Sequence, residues 1–495
     1  MTRPDLLSAG LLMACACAVP VAGALEVRPS IAVGAVYTSN LTLSPGTDIA
    51  PLNPKVSDVV TRVDPRIDVS HKSPRIDLRA DYTYSYLRFS ESSESDASFS
   101  AGAAALDLTL IKGLLTLESA ADQSQQLVNP EFSPFNSNVS IVDGRTDQLV
   151  VETSPHLKTT VSDVGIDIRY VLGTVSFSYD TQAIPDPDQP EIQDVDYQEA
   201  HTAITSEEQN RGLAWGLFHD YDVYKYQTGS DNKSQLAYLT LTYGLRQAGD
   251  FFAFGSVGRE NDYRDFESGK LEDNYWELGV RRTTGRTLLE ASFGERSFGS
   301  TLSAKARREL NKGSIELAYR EDPSVQEKLF EKRTTDPTPP PPGVPPNINR
   351  PGIGDRFVYK LLSLTLLKEL GRNQIELVAF HEKRDEFLAR EEATPEPGEA
   401  PIVQNSELQT GFKGRVQRQI GPRTTLGLDG QVVQREFQDG NDDQLNAVRL
   451  VGTYAFGRKL TLEGWLARYQ QRGSNDTKDN YEEFQAGLSA NYSFR

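Results

Sequence analysis

The chain has 495 residues, a hydrophobic fraction of 38% and a mean hydropathy of −0.48, which is too polar for a bundle of membrane-spanning helices. Beyond the N-terminal segment no run approaches the roughly 18 apolar residues that a spanning helix needs. The net charge of −18 argues against nucleic acid as a partner. The only two cysteines, Cys15 and Cys17, lie near the N-terminus, which excludes disulfides and thiolate metal sites elsewhere.

Residues 1–24 have the pattern of a cleaved secretory signal. Arg3 precedes an apolar stretch that ends near Val21, and Ala22-Gly23-Ala24 is a small-x-small cleavage site. Two alternatives are an uncleaved anchor helix and a lipoprotein site at Leu12-Met13-Ala14-Cys15. No composition break divides the remaining residues, 25–495, so we expect them to form one domain.

Residues 57–89 show the clearest local pattern, a strict alternation with a period of two. In the first arm one parity holds Val59, Thr61, Val63, Ile67 and Val69, and in the second arm one parity holds Ile76, Leu78, Ala80, Tyr82 and Tyr84. Charged residues take the other parity of each arm: Arg62, Asp64, Arg66 and Asp68 in the first, and Asp77, Arg79 and Asp81 in the second. Such alternation places the two sets on opposite faces of a strand. The pattern predicts two strands joined by a tight turn.

The same unit recurs along the whole chain, about 22 times, without a helical stretch in between. The segments begin near residues 25, 57, 75, 97, 115, 146, 165, 195, 211, 233, 250, 271, 287, 301, 314, 356, 373, 404, 423, 444, 459 and 480. Connections after even-numbered segments are tight, and those after odd-numbered segments are generally longer. An apolar face on every strand is typical of a barrel in lipid. We therefore predict an all-β fold, a single transmembrane antiparallel up-and-down β-barrel of 20 to 24 strands, with short periplasmic turns and long extracellular loops.

Some local features test this strand assignment. Pro29, Pro65 and Pro155 interrupt strand patterns, and we expect them at bulges or strand ends because proline cannot donate to the ladder. The last segment alternates up to Phe494, an aromatic-ended strand like those that outer-membrane assembly machinery recognises, although Arg495 follows it.

Two long loops carry distinctive composition. The loop 322–355 contains a proline-rich run expected to form polyproline II. The loop 123–145 contains Phe132 and Phe135, which fit either an inward fold that narrows the lumen or packing on the rim. Several other loops are acidic. Their charges are either merely solvated or bridged by divalent cations to lipopolysaccharide.

No catalytic, cofactor or metal site is predicted. The five histidines, His71, His156, His201, His219 and His381, are scattered without ligand spacing, and the hydrolase, zincin and P-loop motifs are missing from the sequence. A barrel enzyme can still assemble its site from separate strands, so an outer-membrane hydrolase remains an alternative.

The residues on the polar face of each predicted strand are the candidates for lining the lumen. Besides the seven charged residues of the first two-strand unit, a second group alternates on two later segments: Lys413, Arg415, Gln417, Asp429, Gln431 and Arg435. One interpretation is that opposite charges form structural ladders that stiffen a wet wall. The other is a mixed-sign conduit for a hydrated, uncharged or weakly charged polymer.

Three blocks carry a family resemblance: YTSN at 37–40, SDVVTRVDPRIDVS at 57–70, and ENDYRDFESGKLEDNYWELGVRRTTGRTLLEASFGERSFG at 260–299. They resemble the outer-membrane barrel family associated with PEP-CTERM/exosortase gene clusters. The resemblance covers essentially the whole mature chain, and it implies a component encoded beside exopolysaccharide synthesis genes. It carries over no catalytic residue.

The expected function is passive export of an exopolysaccharide through the outer membrane of a Gram-negative bacterium. The expected partners are outer-membrane lipid, lipopolysaccharide, the exopolysaccharide and periplasmic export proteins. A general porin or outer-membrane scaffold is the main alternative. A TonB-dependent transporter is less favoured, because the first strand leaves little room for a plug domain after residue 24.

Overall fold

The computed structural model describes residues 25–41, 56–92, 96–127, 145–179, 194–206, 212–227, 231–244, 250–264, 270–325, 356–386, 406–436, 442–473 and 480–494. They form one antiparallel sheet of 22 strands. The strands are β1 Glu26–Thr38, β2 Asp58–Lys72, β3 Ile76–Phe89, β4 Ala97–Ile111, β5 Leu115–Leu127, β6 Arg145–Val161, β7 Val164–Tyr179, β8 Val195–Ser206, β9 Leu213–Tyr226, β10 Asn232–Gly244, β11 Asp250–Arg264, β12 Lys270–Thr284, β13 Thr287–Arg296, β14 Gly299–Leu310, β15 Gly313–Val325, β16 Arg356–Leu370, β17 Asn373–Glu386, β18 Ser406–Gly421, β19 Thr424–Glu436, β20 Asp442–Phe456, β21 Leu460–Gly473 and β22 Tyr481–Ser493. Each predicted segment begins within two residues of the corresponding strand.

The sheet closes on itself through its first and last strands. β1 pairs with β22 from Ser30 opposite Ser493 to Thr38 opposite Gln485. Every other pairing joins strands that are consecutive in the chain. Closure leaves no edge strand, which is the condition for a sheet to exist in lipid. The predicted all-β, single-barrel fold class is confirmed.

Connections after odd-numbered strands are generally longer than those after even-numbered strands, as the sequence predicted, although the one between Arg296 of β13 and Gly299 of β14 is also a two-residue turn. Even-numbered strands lead into tight turns, such as the one between Thr284 and Thr287, whereas the longest connection runs from Val325 to Arg356. Gly285 and Gly371 lie in two of the tight turns with φ of 51° and 62°, the left-handed conformation that two-residue hairpin turns require. We call the tight-turn end periplasmic and the other end extracellular.

The pairing register gives the barrel two chemically distinct faces. Directly opposite residues share a face, and Val63 lies opposite Val33 and Tyr86, whereas Arg62 lies opposite Gly34 and Leu87. We call the face that carries Val63 the apolar face and the face that carries Arg62 the polar face. The same two faces continue through every pair of neighbouring strands, including the closing pair of β22 and β1. Exposed aliphatic and aromatic side chains, such as Leu239, Leu428 and Leu488, belong to the apolar face.

The prediction that the three prolines lie at bulges or strand ends is only partly confirmed. Pro29 is the fourth residue of β1 and precedes the ladder to β22, so it is at a strand end as expected. Pro65 and Pro155 lie inside β2 and β6, and neither marks a bulge. The ladder from β2 to β3 stops at Val63 and resumes at Arg66 in the same register. β6 behaves alike at Pro155, with pairs to β7 missing only between Thr153 and His156. Each proline therefore loses contacts to one neighbour only.

Within the described ranges, no helix is long and apolar enough to cross a bilayer. The predicted signal segment and most of the loops 123–145 and 322–355 lie outside these ranges, so the expectations for them stay predictions.

The polar face as a candidate functional site

The first group of candidate residues lies together on the polar face at the periplasmic half of β2 and β3. Asp68 and Asp81 are directly opposite each other, and Arg66 contacts both carboxylates, at 2.8 and 3.4 Å. Arg79 contacts Asp77 at 3.1 Å. Higher on β2, Arg62 Nε donates to Asp64 at 2.7 Å. All seven predicted residues thus share one face, where cations separate carboxylates that would otherwise repel.

The second group occupies β18 and β19, again on the polar face. Arg415 lies opposite Asp429 and donates to it at 2.7 Å, and Lys413 lies opposite Gln431. Lys413 also lies 5.1 Å from the centre of the Phe380 ring, a cation–π contact. Gln417 lies opposite Gly427. Arg435 forms its ion pair with Asp443 on β20.

The polar face changes character along the barrel axis. Near the periplasmic end its side chains are exposed, and Arg79 retains 65% of its side-chain exposure. Toward the extracellular end its polar residues are buried, and Arg435 is 1% exposed. Other buried polar residues in this half are Thr38, Asp58, Gln148, Asn232, Glu260, Glu382, Arg384, Gln431, Asp443, Gln471, Glu483 and Gln485. We call this set the buried polar belt. The alternation of the sequence does not distinguish it from the exposed half.

The carboxylates of the belt have hydrogen-bond donors. Arg384 donates to Glu382 at 2.6 and 2.9 Å, and Arg296 donates to Glu260 at 2.6 Å. Thr38 of β1 donates to Glu483 of β22 at 2.7 Å, which joins the two strands that close the barrel. Asp58 accepts from the backbone N–H groups of Ser90 and Ser92 at 3.1 Å each, where β3 ends. Such donors are what make a buried carboxylate tolerable.

The five histidines do not converge. His156 and His201 lie on the polar face, where His156 Nε2 contacts Asp167 at 2.8 Å and His201 contacts Asp220. His71, His219 and His381 share the parity of the apolar face, and neither ring nitrogen of buried His71 has a hydrogen-bond partner. Among the residues that the structure describes, no group of three or more His, Cys, Asp or Glu could hold a metal ion. The described histidines therefore belong to no such group.

Comparison with known proteins shows the fold. No family model matches the chain, and no curated protein sequence does. The FrpB iron transporter from Neisseria meningitidis (F5-1 variant) is similar in structure, with a TM-score of 0.53 and 10% identity over 95% of this chain and 83% of the transporter. Its F3-3 variant gives 0.51, with 12% identity over 94% and 81%.

A mutant of the ferric enterobactin receptor PfeA from Pseudomonas aeruginosa, in complex with enterobactin, also gives 0.51, with 10% identity over 95% and 81%. At these identities the likeness concerns the barrel and not its cargo. A closed 22-strand barrel with one apolar face is stable only in lipid, and this architecture belongs to outer membranes. The chain is an outer-membrane β-barrel protein of a Gram-negative bacterium.

Proposed function

We infer that the polar face lines an aqueous interior and that the barrel is a passive conduit for an exopolysaccharide. In a membrane barrel the apolar face meets lipid, which leaves the polar face for the interior. A barrel of this strand number is wide enough for an aqueous channel unless it is filled by a plug or by loops.

The observation that carries the proposal is the pairing of charge along the polar face. Arg66 with Asp68 and Asp81, and Arg415 with Asp429, place opposite charges in contact. Paired charges produce a weak net field while keeping the wall hydrated. Such a wall neither repels nor traps a polymer that carries many hydroxyl groups and little charge. The resemblance to barrels of PEP-CTERM/exosortase gene clusters supports the same cargo.

A deletion strain tests this function. Loss of the protein should lower surface and secreted polysaccharide, while synthesis at the inner membrane continues and polymer accumulates in the periplasm. Plasmid-borne wild-type protein should restore secretion. Normal secretion from the deletion strain would refute export and leave a general porin or scaffold as the better assignment.

A further inference from the structure

Three aromatic side chains form a row across the polar face near mid-barrel, on β9, β10 and β12. The Phe218 and Tyr238 rings are stacked, with centroids 4.9 Å apart and planes at 16°. The Tyr238 and Tyr275 rings meet edge to face, with centroids 5.2 Å apart. We call these three residues the aromatic row. It is a continuous apolar strip on a face that otherwise carries charges and hydroxyl groups.

Two glycines make the row possible. Gly258 of β11 stands between Tyr238 and Tyr275 in the register, and a Cβ there would lie 2.6 Å from the Tyr238 Cβ. A Cβ at Gly216 would lie 2.5 Å from the Phe218 ring. Glycine at both positions lets large rings lie over a neighbouring backbone, which a side chain would prevent.

Hydrogen-bonding groups flank the row. The Tyr275 hydroxyl donates to Glu277 at 2.8 Å, and Asp220, two residues from Phe218 on the same face, contacts His201. The Tyr238 hydroxyl has no hydrogen-bond partner among the described residues, and the Tyr238 side chain is only half-buried. A partly exposed tyrosine whose hydroxyl has no protein partner is available to a ligand.

We propose that the aromatic row is a carbohydrate-binding subsite, at which the apolar C–H face of a neutral sugar ring packs against the exposed part of the row at Tyr238, while sugar hydroxyls bond to the Tyr238 hydroxyl and the neighbouring carboxylates. A sugar ring has one apolar face and a rim of hydroxyls. The aromatic row can contact the apolar face, and the carboxylates of Asp220 and Glu277 can accept hydrogen bonds from the hydroxyls. The rigid rings supply contact area at small entropic cost. This subsite rests on the proposed conduit and deepens it, since it gives the wall a preference for neutral sugars.

The test is binding of maltohexaose and cellohexaose to the purified barrel, measured by calorimetry in detergent and by block of ionic current in planar bilayers. Tyr238→Ala should weaken binding of at least one of these sugars about tenfold, the scale of one aromatic contact. Tyr238→Phe should lose less. Tyr243→Ala is the matched control, because Tyr243 lies on the apolar face of the same strand and is exposed. It should bind like the wild type, and all variants should show the wild-type heat-modifiable gel shift.

Two outcomes overturn the subsite: neither sugar binds the wild type, or Tyr238→Ala binds as tightly as the wild type. Failure of export is separable from failure of the subsite. If the deletion strain secretes polymer normally while Tyr238→Ala weakens sugar binding, the subsite stands and the export role fails. If deletion abolishes secretion while Tyr238→Ala binds and secretes like the wild type, export stands and the subsite fails.

Discussion

Arg435 and Asp443 lie directly opposite each other across β19 and β20, and their side chains form an ion pair that is almost completely buried. Gln471 on β21 donates to the same carboxylate at 2.8 Å. Three neighbouring strands are therefore joined by one buried polar cluster near the extracellular end. A buried pair is costly to break because the remaining charge is left without a partner.

Arg435→Ala should destabilise the barrel by about 3 to 5 kcal/mol, since Asp443 would be left buried and unpaired. Arg79→Ala is the matched control: the Arg79 side chain is exposed and Asp77 keeps Lys72 at 3.7 Å, so the loss should be less than about 1 kcal/mol. Urea unfolding in lipid vesicles measures both. Equal, small losses would show that the belt is hydrated and not packed.

The two-face assignment predicts opposite responses to a new positive charge. Leu428→Arg places a charge on the apolar face and should cost about 2 to 4 kcal/mol in folding free energy if the site is near the bilayer midplane. Gln417→Arg, on the polar face of β18, should cost much less.

Cysteine labelling tests the same two-face assignment. Cysteines at 63 and 78 should react with lipid-phase probes, and those at 64 and 79 with aqueous probes. The reverse labelling pattern would invert the assignment.

Gly258→Ala should destabilise the barrel by about 1 to 3 kcal/mol, as overpacking does. The added Cβ would lie 2.1 Å from the backbone oxygen of Ala237, which cannot rotate away. Gly430→Ala is the control, because the nearest atom to its added Cβ is 3.8 Å away. If both variants unfold at the wild-type urea concentration, β10 and β11 do not approach each other closely at Gly258.

The strand pattern could be predicted because it depends on local alternation. Val63 and Arg62 differ in parity, and parity alone assigns them to opposite faces once lipid is the solvent. The burial of Arg435 could not be predicted. Arg66 and Arg435 have the same chemistry and the same alternating context, yet the Arg66 side chain is 42% exposed and the Arg435 side chain is 1% exposed.

The aromatic row shows a second limit of sequence reading. Tyr238 and Tyr275 are on strands that are not adjacent, and their contact depends on Gly258 between them. The glycine is visible in the sequence, but its register partners are not.

The prediction of bulges or strand ends at Pro65 and Pro155 was wrong for a related reason. Both prolines look like strand breakers, yet a strand can lose its pairs to one neighbour and keep the ladder to the other.

Double charge reversal, Lys413→Glu with Arg415→Glu, should impair polymer secretion, because it would turn a paired wall segment into a strongly anionic one beside Asp429. Secreted polysaccharide is the readout, with insertion verified by heat-modifiable mobility. Arg435 is unsuitable for this experiment because its burial makes any reversal a folding defect. An inserted barrel that secretes normally would show that this segment does not meet the polymer.

A passive conduit requires no acid–base residue, so single substitutions of the histidines with glutamine should leave secretion near the wild-type level. The most informative variant is His156→Gln, because the wild-type His156 ring contacts Asp167 on the polar face. Loss of secretion through one histidine in a correctly inserted barrel would support the outer-membrane hydrolase instead.

Release of polymer from reconstituted vesicles tests the conduit most directly. Vesicles that contain the purified barrel and a fluorescently labelled neutral polysaccharide should lose the polymer to the outside without any energy source. Protein-free vesicles, and vesicles with an unrelated small barrel, should retain it. Retention by vesicles that release small ions through the same barrel would contradict the account, because it would show an open pore that does not pass polysaccharide.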